Sequence, residues 1–168
     1  MSRENRKPRP KREKPEYDQK LLDLARVTRV VKGGRRFRFR ATLVIGNKKG
    51  RVGVGVGKGG DVSEAIKKAY NDARKHLINV SIKKNTIAHD IYHKKGSARV
   101  LLKPAKEGRG IVAGGAVRAV VEFSGIKDIV SKSLGSSNKL NVARATAEAL
   151  EMLNYSRPRK NNEPKLAE

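Results

Sequence analysis

From Arg36 to Ile45 the chain alternates without a break. Phe37, Phe39, Ala41, Leu43 and Ile45 fall on one side, and Arg36, Arg38, Arg40 and Thr42 on the other. Side chains point to opposite faces along an extended strand, so this spacing predicts a β-strand with one apolar face and one guanidinium face. Before it, Leu21–Val31 predicts a first strand, with a helix over its first half as the alternative. Lys32-Gly33-Gly34-Arg35 predicts a turn with cations at an exposed tip. After it, Gly46–Gly50 predicts a second turn and Arg51–Gly57 a third strand, with Val52, Val54 and Val56 on one face and Gly53, Gly55 and Gly57 on the other. A bare glycine face costs stability and marks close approach by another backbone or by a ligand. The period then changes. Val62, Ala65, Ile66, Ala69, Tyr70, Ala73 and Leu77 recur at helical spacing, which predicts a helix from Asp61 to Ile78, capped by Asp61 with Glu64 three residues on.

The second half interleaves the two periods. Asn79–Asn85 predicts a strand, Thr86–Gly96 an irregular or hairpin region, and Ser97–Pro104 another strand. A glycine-rich loop, Lys106–Gly115, leads to a short helix, Ala116–Phe123, stopped by Ser124-Gly125. Ile126–Leu134 predicts a strand. Asn141–Leu153 predicts a last helix with Val142, Ala145, Thr146, Ala149, Leu150 and Leu153 on its apolar face. The expected class is therefore α+β, in two small domains: a β-β-β-α unit over residues 21–79 and an α+β unit over residues 80–154. Residues 1–20 carry Pro8, Pro10 and Pro15 and almost no apolar content, which predicts a disordered basic arm. A flexible polar tail is expected over residues 155–168.

Composition narrows the partner class. The 168 residues carry a net charge of +24 and a pI of about 10.7. That much positive charge opposes compactness unless a polyanion neutralises it, so nucleic acid leads and an anionic membrane surface comes second. The chain has no apolar run long enough to span a bilayer and no signal-peptide segment, and it lacks cysteine, so neither a disulfide framework nor a thiolate metal site is available. A cytoplasmic setting fits. Only 4% of residues are aromatic, which favours backbone and shape recognition over bases stacked on aromatic platforms.

Four constellations bear on chemistry. Gly55-Val56-Gly57-Lys58-Gly59-Gly60 fits G-x-G-x-x-G between a strand and a helix, but no acidic residue follows in Val80–Asn85 to hold a ribose. A P-loop is excluded, because Gly59 stands where Ser or Thr must bind magnesium. Gly108, Gly110, Gly114 and Gly115 precede a helix start, which suits either a phosphate or the close approach of a neighbouring chain. His89 and His93 approximate a zinc-helix spacing, yet Asp90 replaces the required Glu and no third ligand is evident, so surface histidines are expected. No nucleophile–base pair stands out. Neither an enzyme, a cofactor nor a small-molecule substrate is expected. The row Arg36, Arg38 and Arg40 lies in a segment, Leu24–Gly60, without a single acid. Solvated faces mix signs, and like charges in a row are unfavourable unless something anionic lies against them, so this row points to RNA.

Three ordered motifs resemble one family. Gly34-Arg35-x-x-x-Phe39-x-Ala41, followed by Val44-Ile45-Gly46-Asn47-x-x-Gly50-Arg51-Val52-Gly53-x-Gly55-x-Gly57-Lys58, is similar to the first signature of the small-subunit ribosomal protein uS5 family. Glu107-Gly108-x-Gly110-Ile111-x-Ala113-Gly114-Gly115-x-x-Arg118-Ala119-Val120 resembles its second block. Gly135-Ser136-x-Asn138 with Asn141-Val142-x-Arg144-Ala145-Thr146 resembles its last helix entry. The resemblance implies an N-terminal domain similar to a double-stranded RNA-binding domain and a C-terminal α+β domain with a left-handed β-α-β crossover. It implies a station on the small ribosomal subunit, near the messenger RNA entry channel, with an influence on decoding accuracy. The implied partners are small-subunit ribosomal RNA and ribosomal proteins uS4 and uS8. The residues expected on RNA are Thr28, Arg29, Lys32, Gly33, Gly34, Arg35, Arg36, Arg38, Arg40, Lys48, Lys49, Arg51, Gly53, Gly55 and Lys58, and the turn Thr28–Arg36 matches the family's loop near the spectinomycin pocket. Those expected on a neighbouring protein, uS4, are Glu107, Gly108, Arg109, Gly110, Gly114, Gly115 and Arg118.

Overall fold

The computed structural model describes residues 16–155. Four antiparallel strands form a first sheet in chain order: β1 (Asp18–Val31), β2 (Gly34–Gly46), β3 (Arg51–Gly59) and β4 (Leu77–Asn79), with helix α1 (Val62–Lys75) between the last two. A second sheet, in the order β5-β6-β8-β7, contains β5 (Ile91–Lys95), β6 (Ala98–Pro104), β7 (Ile111–Val112) and β8 (Ile129–Gly135). Helix α2 (Gly115–Ser124) carries the chain from β7 to the parallel strand β8, so a β-α-β crossover is present, and α3 (Lys139–Tyr155) closes the described chain. The two-domain α+β architecture stands.

Most of the expected arm lies outside the described residues, as does the tail beyond Tyr155. The first described residues are not an arm, however: Tyr17 is buried and β1 begins at Asp18, ahead of the apolar run at Leu21. The helix expected to reach Ile78 stops at Lys75, and the strand expected over Asn79–Asn85 lies earlier. The open edge of β3 captures Leu77–Asn79 instead, and Val80 N–H donates to the Gly50 carbonyl (2.7 Å). Lys83–Thr86 is then a tight turn through Lys84 and Asn85, both at positive φ.

The first sheet is covered on both faces. On one, Ala41, Leu43 and Ile45 pack on Ala65, Ala69 and Ala73 of α1 together with Tyr17. The glycine row of β3 makes this possible. A Cβ on Gly53 would lie 2.5 Å from the Ala73 carbonyl oxygen, and those on Gly55 and Gly57 would overlap the Ala69 and Ala65 carbonyl oxygens. The close approach is thus made by the protein's own helix, backbone to backbone, and no dinucleotide fits there. On the other face Val44, Val52 and Val54 join the main core with Val120, Phe123 and Leu150 of α2 and α3. The turn after β2 is stitched to the end of α2: Lys48 N–H donates to the Phe123 carbonyl (3.1 Å) and Gly50 N–H to the Ser124 carbonyl (2.8 Å). All six apolar-face residues predicted for α3 are buried.

Candidate nucleic-acid interface

β1 and β2 run well past the elements that cover the sheet. Val31 pairs with Gly34, which leaves a two-residue turn, Lys32-Gly33, and Gly34 takes a positive φ (136°) that suits glycine there. Lys32–Arg38 are all exposed, and Val30 is 76% exposed. The predicted apolar face therefore ends before the turn. Phe37 is 46% exposed, and its ring is stacked by Arg26, whose Cζ sits 4.1 Å from the ring centroid. Arg26 was not among the expected residues. Its contact crosses from one strand to the other, and only the observed register (Arg26 opposite Phe39, Thr28 opposite Phe37) brings it there.

Register also assembles the basic face. Arg29 lies directly opposite Arg36, and Arg40 directly opposite Lys58, with Arg38 between them along β2. Directly opposed like charges repel across a sheet. Among the described residues no carboxylate lies within ion-pairing distance of any of these five cations. Arg40 is half-buried, and its Nε is buried without a hydrogen-bond partner among the described residues. The row is not an open face along its whole length: Thr42, next in the series, is buried, and Val44 beyond it joins the main core.

The remaining expected RNA contacts separate. Lys48, Lys49 and Arg51 are exposed but belong to the opposite end of the sheet, since the twelve steps of β2 span about 40 Å. Lys48 is held there by Asp18 (3.1 Å) and lies over the Phe123 ring (5.7 Å). Gly53 and Gly55 are a correction: both are buried beneath α1 and cannot touch RNA, because their missing side chains are what seats the helix. Thr28, Arg29, Lys32, Gly33, Gly34, Arg35, Arg36, Arg38, Arg40 and Lys58 are brought together.

The second block forms an exposed loop between β6 and α2. Gly108 (φ 86°) and Gly110 (φ 74°) are glycines for their backbone conformation, and Gly110 N–H donates to the buried Asp128 carboxylate (2.8 Å). Gly114 and Gly115 have no positive φ, and a side chain on either would meet nothing within 4 Å among the described residues. No internal packing requires them. Glu107, Arg109 and Arg118 are exposed beside them.

His93 sits in β5, and its Nε2 is 3.2 Å from Glu148 of α3. Burial, then the nearby Lys95 ammonium, holds its pKa below the ordinary histidine value. Lys95 also binds the same Glu148 carboxylate. Among the described residues no group of His, Cys, Asp and Glu could hold a metal, and no helix is long and apolar enough to cross a membrane.

Two family profiles match the chain. "Ribosomal protein S5, N-terminal domain" covers residues 17–81, and "Ribosomal protein S5, C-terminal domain" covers residues 93–160. Among similar proteins are those called "Small ribosomal subunit protein uS5" from two Campylobacter jejuni strains, 81-176 and RM1221. Each is 56% identical over 138 residues, covering 82% of this chain and 94% of the relative.

Proposed function

The chain belongs to the ribosomal protein S5 family, structural constituents of the small ribosomal subunit, and from that premise we propose how it is held there. It is a structural protein and not an enzyme, with its station in the cytoplasmic ribosome. The exposed β1–β2 hairpin binds small-subunit ribosomal RNA through backbone and shape. The observation that carries this reading is the basic face of the hairpin, where Arg29 opposes Arg36 and Arg40 opposes Lys58 without a neutralising carboxylate among the described residues. Phosphates supply the missing charge, and the released counterions make affinity fall steeply with salt. Helical RNA hides its base edges in a narrow major groove, which suits a rigid two-stranded projection reading shape.

The loop from Glu107 to Arg118 meets a neighbouring ribosomal protein, uS4, with Gly114 and Gly115 letting that chain approach closely. A second neighbour is uS8. Messenger RNA passes near this site, and the contacts support decoding accuracy. The two units act as one body, with the β-β-β-α unit over residues 21–79 directed to RNA and the unit over residues 80–154 to neighbouring proteins.

Replacing Arg36 and Arg38 by Ala leaves the fold intact, because both are exposed. The slope of log affinity against log salt, measured on transcribed small-subunit ribosomal RNA, is expected to shrink by about 2. An unchanged slope would overturn the reading.

A further inference from the structure

The second sheet has a helix-covered face and an open one. Ala98, Val100 and Leu102 of β6 are buried toward α2 and α3, so Arg99, Leu101 and Lys103 point the other way. Register extends that outer face across the sheet. Tyr92 lies opposite Leu101 and Leu101 opposite Lys132, while Lys94 lies opposite Arg99 and Arg99 opposite Leu134. Lys94, Arg99, Lys103 and Lys132 are exposed, Tyr92 is 54% exposed and Leu134 is 41% exposed.

The charge pattern repeats that of the hairpin. The four strands contain no Asp or Glu. Lys94 and Arg99 are a directly opposed like-charge pair, which is unfavourable on an isolated sheet. Among the described residues none of the four outer cations has a carboxylate within ion-pairing distance. The mean charge of the whole chain does not explain this, because the helix-covered side of the same sheet does carry a compensating acid: Glu148 binds Lys95 and His93.

We propose that the open face of the second sheet is a separate RNA-binding surface, on which the four cations hold phosphates and Tyr92 stacks on an unpaired base. A sheet that displays one aromatic ring among cations suits a single-stranded or looped segment, whose bases are free to splay out. The chain then grips RNA at two places, the hairpin and this sheet. The proposal takes RNA as the partner class from the preceding reading but does not depend on the hairpin as its site.

The test uses the full chain and transcribed small-subunit ribosomal RNA. One variant replaces Lys94, Arg99, Lys103 and Lys132 by Ala, and another replaces Arg29, Arg36 and Arg38 by Ala. The sheet variant is expected to lower the salt slope by about 3, through four lost phosphate contacts to a single strand. Ultraviolet crosslinking of the unaltered chain is expected to join a peptide containing Tyr92 to RNA, and the same crosslink should persist in the hairpin variant. An unchanged slope with no RNA crosslink in β5–β8 overturns the proposal. So does a Tyr92 crosslink to a neighbouring protein in assembled subunits, which would make the face a protein-docking surface. Loss of slope in the hairpin variant alone, with no RNA crosslink at Tyr92, keeps the previous reading and removes this one, and loss in the sheet variant alone, with that crosslink, does the reverse. The crosslink needs no substitution, so it decides even if the fourfold variant fails to fold.

Discussion

Gly55 and Gly115 lack a side chain for opposite reasons, and substitution separates them. At Gly55 a methyl group would overlap the backbone of α1 at Ala69 and Ala73, which cannot retreat without lifting the whole helix. Gly55→Ala is expected to cost about 3 kcal/mol or more, the upper end for overpacking, read as a lowered midpoint in thermal or urea unfolding. At Gly115 the same methyl group meets nothing within 4 Å among the described residues. Gly115→Ala is expected to leave stability within about 0.5 kcal/mol and to weaken association with the protein neighbour, measured by copurification. His93 provides a pH-dependent counterpart. Its folded pKa is depressed by burial, so the unfolded chain binds the proton more readily. Stability should therefore fall as pH drops below about 6.5 and level off once pH passes below the depressed folded value. His93→Asn should flatten that limb of a stability–pH curve, and an unchanged limb would assign it to other groups.

At the scale of elements, the β1–β2 hairpin divides one strand between two tasks. Leu43 is buried against α1 and Phe37 is half outside. Leu43→Ala is expected to cost about 2–5 kcal/mol. Phe37→Ala is expected to spare the fold and instead weaken RNA binding by releasing the Arg26 guanidinium that its ring positions. Chemical denaturation and a binding titration on the same two variants check both halves. The alternation of Arg36–Ile45 and the stripe of Asn141–Leu153 were legible because burial of one face writes its period into the residues. β4 and β7 have three and two residues, too few to write any period, and what places them is the open edges of β3 and β8. Coverage of the first sheet on both faces was hidden for another reason. Val44 shares its side with Arg36 and Arg38, and only packing on α2 and α3, remote in sequence, buries it while the arginines stay outside. The hairpin cations were visible as a run without acids, whereas Gly53 and Gly55 read equally well as a ligand cradle or a helix seat until the helix was placed.

Across the whole molecule the two sheets share one core. Val44, Val52 and Val54 of the first lie in the same cluster as Val120, Ile129 and Leu150 of the second unit, and Gly125 (φ 96°) lets the end of α2 close on the Lys48 carbonyl. Calorimetry of the full chain should show a single transition, with calorimetric and van't Hoff enthalpies equal; two resolved transitions would mean that the seam is weaker than its burial implies. That shared core has a consequence for the chain while it is being made. The first sheet and α1 are complete once β4 has been synthesised, but the elements that cover Val44, Val52 and Val54 end only with α3, about 75 residues later. At ribosomal speeds of about 5–20 residues per second, the half-made protein spends roughly 4–15 s with an oily patch next to its basic row. A nascent chain in that condition is sticky toward both chaperones and any nearby RNA, so its own synthesis is the period in which it most needs supervision.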